Sequence, residues 1–521
     1  VSFSSKPALV SGSYRTIFGP CIRHAGVVFD ESPANLAQAL CRITNKRKPD
    51  TPGLHELLYN NQYKYVAGRC GKWGRFLDRF VHRTRNAIQF EYSELGLPLD
   101  CITEFCLAPH PKMRLRQSAL KWILDGGCSL SSNFVQKGKM KYKMKKYEIA
   151  KPGKYARGIG DLTCPGSIRG GYLIPAVKHA FAAGHRIGQS FMEYIGSPDM
   201  DVLSRCFEQL SCPDGDGYFC YFSDDSCISQ RCVDGVFMGN LDISSCDGSS
   251  FTPVFNLLRG MMENLTHTDS VAGVFDQCRL PVTVSNPQRE FSKEKFVLAP
   301  KEHVLYSGSV LTTVINNLAN SLIYMRFKFL LRGMSAPLRK CDVPALISKA
   351  AADVGYLVTI EVCDVLADLQ FLKHSPHRTT EGIITPLLNL GVLFRSFGQF
   401  TGDLPGPKSL SISDRAKLFN EQVIKGYVHA GDHVILDAYR QKFDTGWRGA
   451  VFRRFLKTWD TVTSCPRIVG EISGKQRGRV DCSELAGRYR CSVHDIEEFL
   501  EMFSSATIGD VIQCKFTDLV L

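Results

Sequence analysis

Two carboxylates stand side by side at Asp224 and Asp225, with Tyr218-Phe219-Cys220-Tyr221-Phe222 before them and Ser226-Cys227-Ile228-Ser229 after. Aromatic and β-branched residues favour extended backbone, and Ser-Asp-Asp-Ser supplies turn formers. The segment therefore predicts a β-hairpin with adjacent acids at its apex. Two carboxylates about 4 Å apart repel by roughly 4 kcal/mol at an effective dielectric of about 20. Divalent cations would compensate such a placement. Taken alone, Ser-Asp-Asp-Ser is also an ordinary turn sequence.

Two further strings give the acids company. In Gly239-Asn240-Leu241-Asp242-Ile243-Ser244-Ser245-Cys246-Asp247-Gly248, Asp242 ends an apolar strand and Asp247 follows as the chain turns toward a helix. Asp242 could share metals with Asp224, whereas Asp247 lies too far along to ligate and could face a sugar. The plainer reading of Asp247 is a helix cap. In Ser307-Gly308-Ser309-Val310-Leu311-Thr312-Thr313-Val314-Ile315-Asn316, a glycine-containing loop enters a helix. Thr312 and Asn316 then share one helix face, and the Asn316 amide offers both a donor and an acceptor to a hydroxyl. A polar-faced core helix is the alternative.

Composition narrows the class. The chain has 521 residues, 44% hydrophobic and 22% charged, which allows several subdomains around a large core. Lys and Arg number 64 against 51 Asp and Glu, a formal charge of +13 that favours polyanionic partners. The 20 cysteines contain no Cys-x-x-Cys pair, so buried free thiols fit better than a zinc site or a disulfide framework. Val1 to Tyr14 lack the basic-then-apolar layout of a secretory leader. His303 to Met325 carry no Asp, Glu, Lys or Arg, but Asn316, Asn317 and Asn320 would be costly in hydrocarbon. That stretch reads as a buried helix and not as a transmembrane segment.

Along the chain, helices are expected over 172–187, 199–210, 307–325, 413–427 and 493–503. Residues 345–376 read as helix, strand, turn, strand. Lysines alternate from Lys137 to Lys145, which would put positive charge on one face of an extended strand. An edge strand guarded by lysines has the same pattern. Pro405, Gly406 and Pro407 make the 401–413 loop a plausible boundary. Gly402 to Ser409 has the wrong spacing for a phosphate loop.

Together the three strings resemble the palm motifs of viral RNA-dependent RNA polymerases. Asp242 and Asp247 match motif A, Asp-x4-Asp. Ser307, Gly308, Thr312 and Asn316 match motif B, and Asp224-Asp225 match motif C with Ser223 in the place usually taken by glycine. Lys146, Lys151, Lys154 and Arg157 resemble the basic motif F, Asp353 to Val358 resemble motif D, and Gln370 to Lys373 resemble motif E. The motifs run C, A, B, which resembles the permuted polymerases of permutotetraviruses and birnaviruses, with some tombusvirus-like sequence around 371–376.

The resemblance implies an α+β right-hand fold with an antiparallel, ferredoxin-like palm sheet. It places an N-terminal region and fingers at 1–200, palm at 201–260, a fingers insertion at 261–300, palm again at 301–385 and thumb at 386–521. It implies two Mg²⁺ or Mn²⁺ ions held by Asp242, Asp224 and Asp225. Nucleoside triphosphate would be bound by Lys146, Lys151, Lys154, Arg157, Asp247, Ser307, Gly308, Thr312 and Asn316. The implied partners are an RNA template, nascent RNA and other viral replication proteins. The implied location is the host cytoplasm, membrane-associated replication complexes or the virion. A reverse transcriptase is the nearest enzymatic alternative, and a non-catalytic RNA-binding replication protein is the alternative from another class.

Overall fold

The computed structural model describes residues 184–196, 198–263, 274–279, 281–285, 295–298, 300–396, 399–401, 430–443, 478–507 and 510–520, with short strands and single positions elsewhere. Its centre is a six-stranded sheet. The strands are β1 (His185–Ile187), β2 (Ser190–Tyr194), β3 (Gly217–Phe222), β4 (Asp225–Cys232), β5 (Gly235–Ile243) and β6 (Val358–Val362). Their order across the sheet is β6-β5-β4-β3-β2-β1. The fold is α+β, as the resemblance implies.

All neighbours are antiparallel except β2 and β3, which run parallel. Parallel neighbours need a long crossover, and helix α1 (Met200–Ser211) provides it. The sheet is thus antiparallel apart from this one pair. Asp199 caps α1 by accepting a 2.8 Å bond from the Val202 N–H, and Met200, Leu203, Cys206, Phe207 and Leu210 form its buried stripe.

Strands β3, β4 and β5 form a continuous meander. Phe222 pairs with Asp225 across the first turn and Cys232 with Gly235 across the second, leaving two residues in each loop. The C-then-A order therefore needs no rerouting, because both strings lie in one local meander.

Both faces of the sheet are covered. Phe219, Tyr221, Ile228, Leu241 and Ile243 pack with α2 (Thr252–Glu263), α3 (Thr312–Arg332) and α4 (Val343–Asp353). The rings of Phe219 and Tyr324 stack at 4.6 Å across that layer. On the opposite face, Tyr218, Cys220 and Cys227 pack with α1, Phe371 and Ile384. The motif C strand is buried on both sides, which accounts for its unbroken apolar run.

Helix α3 begins at Thr312 and reaches Arg332, later at both ends than the expected 307–325. Its late start follows from Gly308, whose φ of +102° is open to glycine and strained for other residues. Buried from Val314 to Lys328, α3 is the core helix that the uncharged run predicts. Among the described residues no helix is long and apolar enough to cross a membrane. Within α3, Arg326 pairs with Asp353 at 2.8 Å and Lys328 donates to the Gln230 side chain at 3.0 Å, so both buried cations are partnered.

The helix expected over 172–187 ends early. Positions 174, 177, 178 and 181 are helical, Gly184 takes φ +68°, and 185–187 form β1. Glycine in a left-handed conformation ends helices, and residues beyond it gain cross-strand bonds. Strand Gly138–Lys143 lies within the lysine-alternating segment and joins a four-stranded sheet with Arg157–Asp161, Val282–Ser285 and Lys295–Leu298. Lys146, Lys151 and Lys154 lie outside the described residues, as does most of the 401–413 loop. After β6, the hairpin β7 (His374–Arg378) and β8 (Ile384–Leu388) leads into a separate apolar cluster from Leu387 to Phe516. That cluster includes α5 (Val434–Phe443), α6 (Cys482–Arg488) and α7 (Val493–Ser505), the last close to the helix expected over 493–503.

Candidate active site

The meander brings the acids together. Asp225 is the direct cross-strand partner of Asp242, and residues directly opposite in a pair share a sheet face with Cβ atoms about 5 Å apart. Asp224 occupies the turn one residue earlier and is exposed. Like charges placed opposite each other destabilise a sheet, and Asp225 registers this. Its carboxyl is pushed up to about 6, first by burial, with the charges of Asp224 and Asp242 adding to the rise. One bond opposes it: the Leu372 N–H donates to Asp225 Oδ2 at 2.8 Å.

A second signature of convergence comes from Cys246. Burial raises its thiol well above the ordinary value, and the charges of Asp247, Asp224 and Asp242 raise it further. Motifs A and C therefore bear electrostatically on one place. The short helix Cys246–Ser249 carries Asp247 toward α3, where Asp247 Oδ1 accepts from Asn316 Nδ2 at 3.0 Å. The Cys246 thiol donates to Asn316 Oδ1 at 3.2 Å. Asp247, just past β5, and Asn316, in α3, thus touch.

Helix α3 also grips the hairpin apex. The Ser223 N–H donates to Asn317 Oδ1 at 2.8 Å, and Asn320 Nδ2 donates to the Ser223 carbonyl at 2.6 Å. Asn316 Nδ2 donates to Ser223 Oγ at 3.2 Å. In the sequence, Asn317 and Asn320 register only as too polar for a membrane. Their spacing with Asn316, at i, i+1 and i+4, is the signal that could have found them. Leu372 falls within the motif E resemblance, but its bond to Asp225 has no sequence signal.

The remaining motif B residues shape their own loop. Thr312 Oγ1 donates to the carbonyls of Tyr306 and Ser309, at 3.2 and 3.0 Å, which holds the Ser307–Gly308 turn against the start of α3. Asp353 to Val358 link the end of α4 to the first residue of β6, whose next residue, Thr359, pairs with Asp242. Lys349 is exposed on α4, 3.5 Å from Asp353. Arg157 lies in its strand opposite Lys143, and its side chain is outside the described residues.

The donor set suits a hard divalent cation, since all three acids offer carboxylate oxygen. The raised Asp225 carboxyl is the electrostatic mark of crowded negative charge in a partly dry place. Among the described residues no three His, Cys, Asp or Glu side chains are already gathered around one point.

No family model matches the chain, and no curated protein does. Solved structures do. The chain is similar in fold to birnavirus VP1. One match is the X-ray structure of the birnavirus VP1–VP3 complex, at 12% identity and a TM-score of 0.41, covering 73% of this chain and 54% of that one. Another is the RNA polymerase VP1 from Infectious Pancreatic Necrosis Virus, at 11% identity and a TM-score of 0.41, covering 83% and 62%. The chain spans less than two thirds of the length of either.

Proposed function

We propose that this chain is a viral RNA-dependent RNA polymerase with a permuted palm. The observation that carries the reading is the pairing of Asp225 with Asp242, beside Asp224 at the turn, with Asp247 bonded to Asn316 a few residues away. A random pair of acidic turns would have no reason to adjoin an amide–carboxylate pair on a third element.

In this reading Asp242 and Asp224 hold the metals, and Asp225 supports them from the neighbouring strand. Bound Mg²⁺ or Mn²⁺ would activate the 3′-hydroxyl and neutralise charge on the triphosphate. Asp247 and Asn316 address the ribose 2′-hydroxyl, which distinguishes RNA precursors from DNA precursors. The Ser307–Gly308 loop, held by Thr312, lies beside the nascent pair. Lys146, Lys151, Lys154 and Arg157 are assigned to the phosphates by their positive charge. The proposed fingers, palm and thumb follow the expected boundaries, and the partners are RNA, nucleoside triphosphates and other viral replication proteins. The setting proposed is the cytoplasm of an infected cell, at replication complexes or within the virion.

The test is metal-dependent extension of a primed RNA template by the wild type and Asp242→Ala. Extension by the wild type with loss in the variant is expected. Robust extension by the variant would strip Asp242 of its metal-holding role.

A further inference from the structure

We infer that Ser223 is a positioning residue for ribose recognition, acting through Asn316. The inference rests on the polymerase reading and adds a residue to its selectivity.

Ser223 occupies the first position of the two-residue turn between Phe222 and Asp225, with φ at +57°. Two-residue hairpin turns with positive φ at this position favour glycine, because a Cβ there is strained. Serine therefore costs stability at this position, and its side chain must do something glycine cannot. Its backbone groups are engaged by Asn317 and Asn320, and glycine would keep both of those bonds. The hydroxyl alone distinguishes serine, and it accepts from Asn316 Nδ2.

That bond has a consequence at the sugar site. Asn316 Nδ2 carries two protons, one directed to Asp247 Oδ1 at 3.0 Å and one to Ser223 Oγ at 3.2 Å. Its carbonyl oxygen accepts from the Cys246 thiol at 3.2 Å. The amide is pinned on three sides, which fixes which of its ends faces the acid. Without the hydroxyl, the amide loses one of these three restraints. The Asp247–Asn316 pair then holds its acceptor oxygens toward the proton of a 2′-hydroxyl less reliably.

Ser223→Gly is the direct test, since glycine suits φ +57° and the fold is expected to stay at least as stable by thermal melting. Ser223→Ala is the second variant, removing the hydroxyl while keeping the Cβ. In primed RNA extension, kcat and KM are measured for each nucleoside triphosphate and its 2′-deoxy counterpart. Loss of one hydrogen bond's worth of positioning should lower the ribo-to-deoxy ratio of kcat/KM by about threefold to tenfold in both variants. The change should fall mainly on KM for the ribonucleotide. A purely structural role would slow both substrates alike, so an unchanged ratio in both variants overturns the inference while leaving the polymerase reading intact. Loss of folding in both variants overturns it too, by making the hydroxyl a structural requirement. Absence of any incorporation by the wild type overturns both readings.

Discussion

Strand β4 has a two-residue turn at each end, and the two turns are built on opposite terms. At one end, Ser223 and Asp224 link β3 to β4; at the other, Val233 and Asp234 link β4 to β5. The second turn follows local rules. Its positive φ, +123°, falls on Gly235, and the Asp234 carboxylate accepts the Lys340 N–H at 2.9 Å. Val233 is 67% exposed. The first turn breaks those rules. Positive φ falls on serine, three asparagines of a buried helix hold that serine, and two acids follow where a third sits opposite. Strain and crowded like charge collect at one end of the strand, the end where the proposed site lies.

The sharpest way to break this comparison is to make one substitution at matched places. Asp224 and Asp234 each hold the second position of their turn. Asp224→Asn should reduce metal-dependent nucleotide incorporation by about a hundredfold or more, the scale expected when a charge-stabilising group is removed from a reacting centre. Asp234→Asn should leave incorporation within about twofold, since surface changes away from such features are mild. Equal effects at the two turns would show that the asymmetry has no catalytic meaning.

Asp225 offers a thermodynamic counterpart. Its folded-state carboxyl is raised to about 6 from an ordinary 3.8. Between those values the folded chain holds a proton that the unfolded chain has released, so wild-type stability falls as pH rises through the window. Asp225→Asn carries no such charge and should be more stable than the wild type by about 1–3 kcal/mol at pH 7 in metal-free buffer. The advantage should shrink through the same window and vanish below about pH 4. Melting of both proteins across that range checks it. A difference that stays constant with pH would mean that burial and neighbouring charge do not act on this carboxyl.

Much of this arrangement is legible in the sequence because it is local. The hairpin, the strand ending at Asp242 and the glycine turn before α3 are each written within a dozen residues, and all three occur as expected. The adjacency of motifs C and A also follows from short turns. What cannot be read is what depends on elements distant in sequence. Asn317 and Asn320 look like any polar residues of a buried helix until Ser223, about a hundred positions earlier, is placed against them. Leu372 reaches Asp225 from 147 positions away, through a turn in which Leu372 and Lys373 have φ of +50° and +66°. Neither residue type announces a left-handed conformation. At 185–187 the sequence predicts helix and the chain forms a strand, because apolar spacing continues past Gly184 while the backbone that ends the helix leaves no mark in periodicity.

The asparagine grip can be separated from the acids it serves. Asn320→Ala removes the donor to the Ser223 carbonyl and leaves that oxygen without this partner, at a cost of about 1–2 kcal/mol in thermal or denaturant unfolding. Combined with Ser223→Gly, which relaxes the turn, the loss should be smaller than in the serine background. A non-additivity of that sign ties the asparagine to the strain at residue 223. Strictly additive losses would make Asn320 an ordinary core amide.

The smallest effect is the control at the quiet end. Asp234→Ala forfeits one exposed bond to the Lys340 backbone, which should lower stability by about 0.5 kcal/mol and leave both incorporation and ribose selectivity unaltered. Its value lies in its size. The Val233–Asp234 turn closes the same meander, so a general loosening of the sheet would be felt at Asp242 through the β4–β5 register. If this mild change altered ribose selectivity as Ser223→Gly is expected to, selectivity would belong to sheet rigidity as a whole. If it does not, the hydroxyl at residue 223 acts locally, and the two ends of β4 differ in function as well as in geometry.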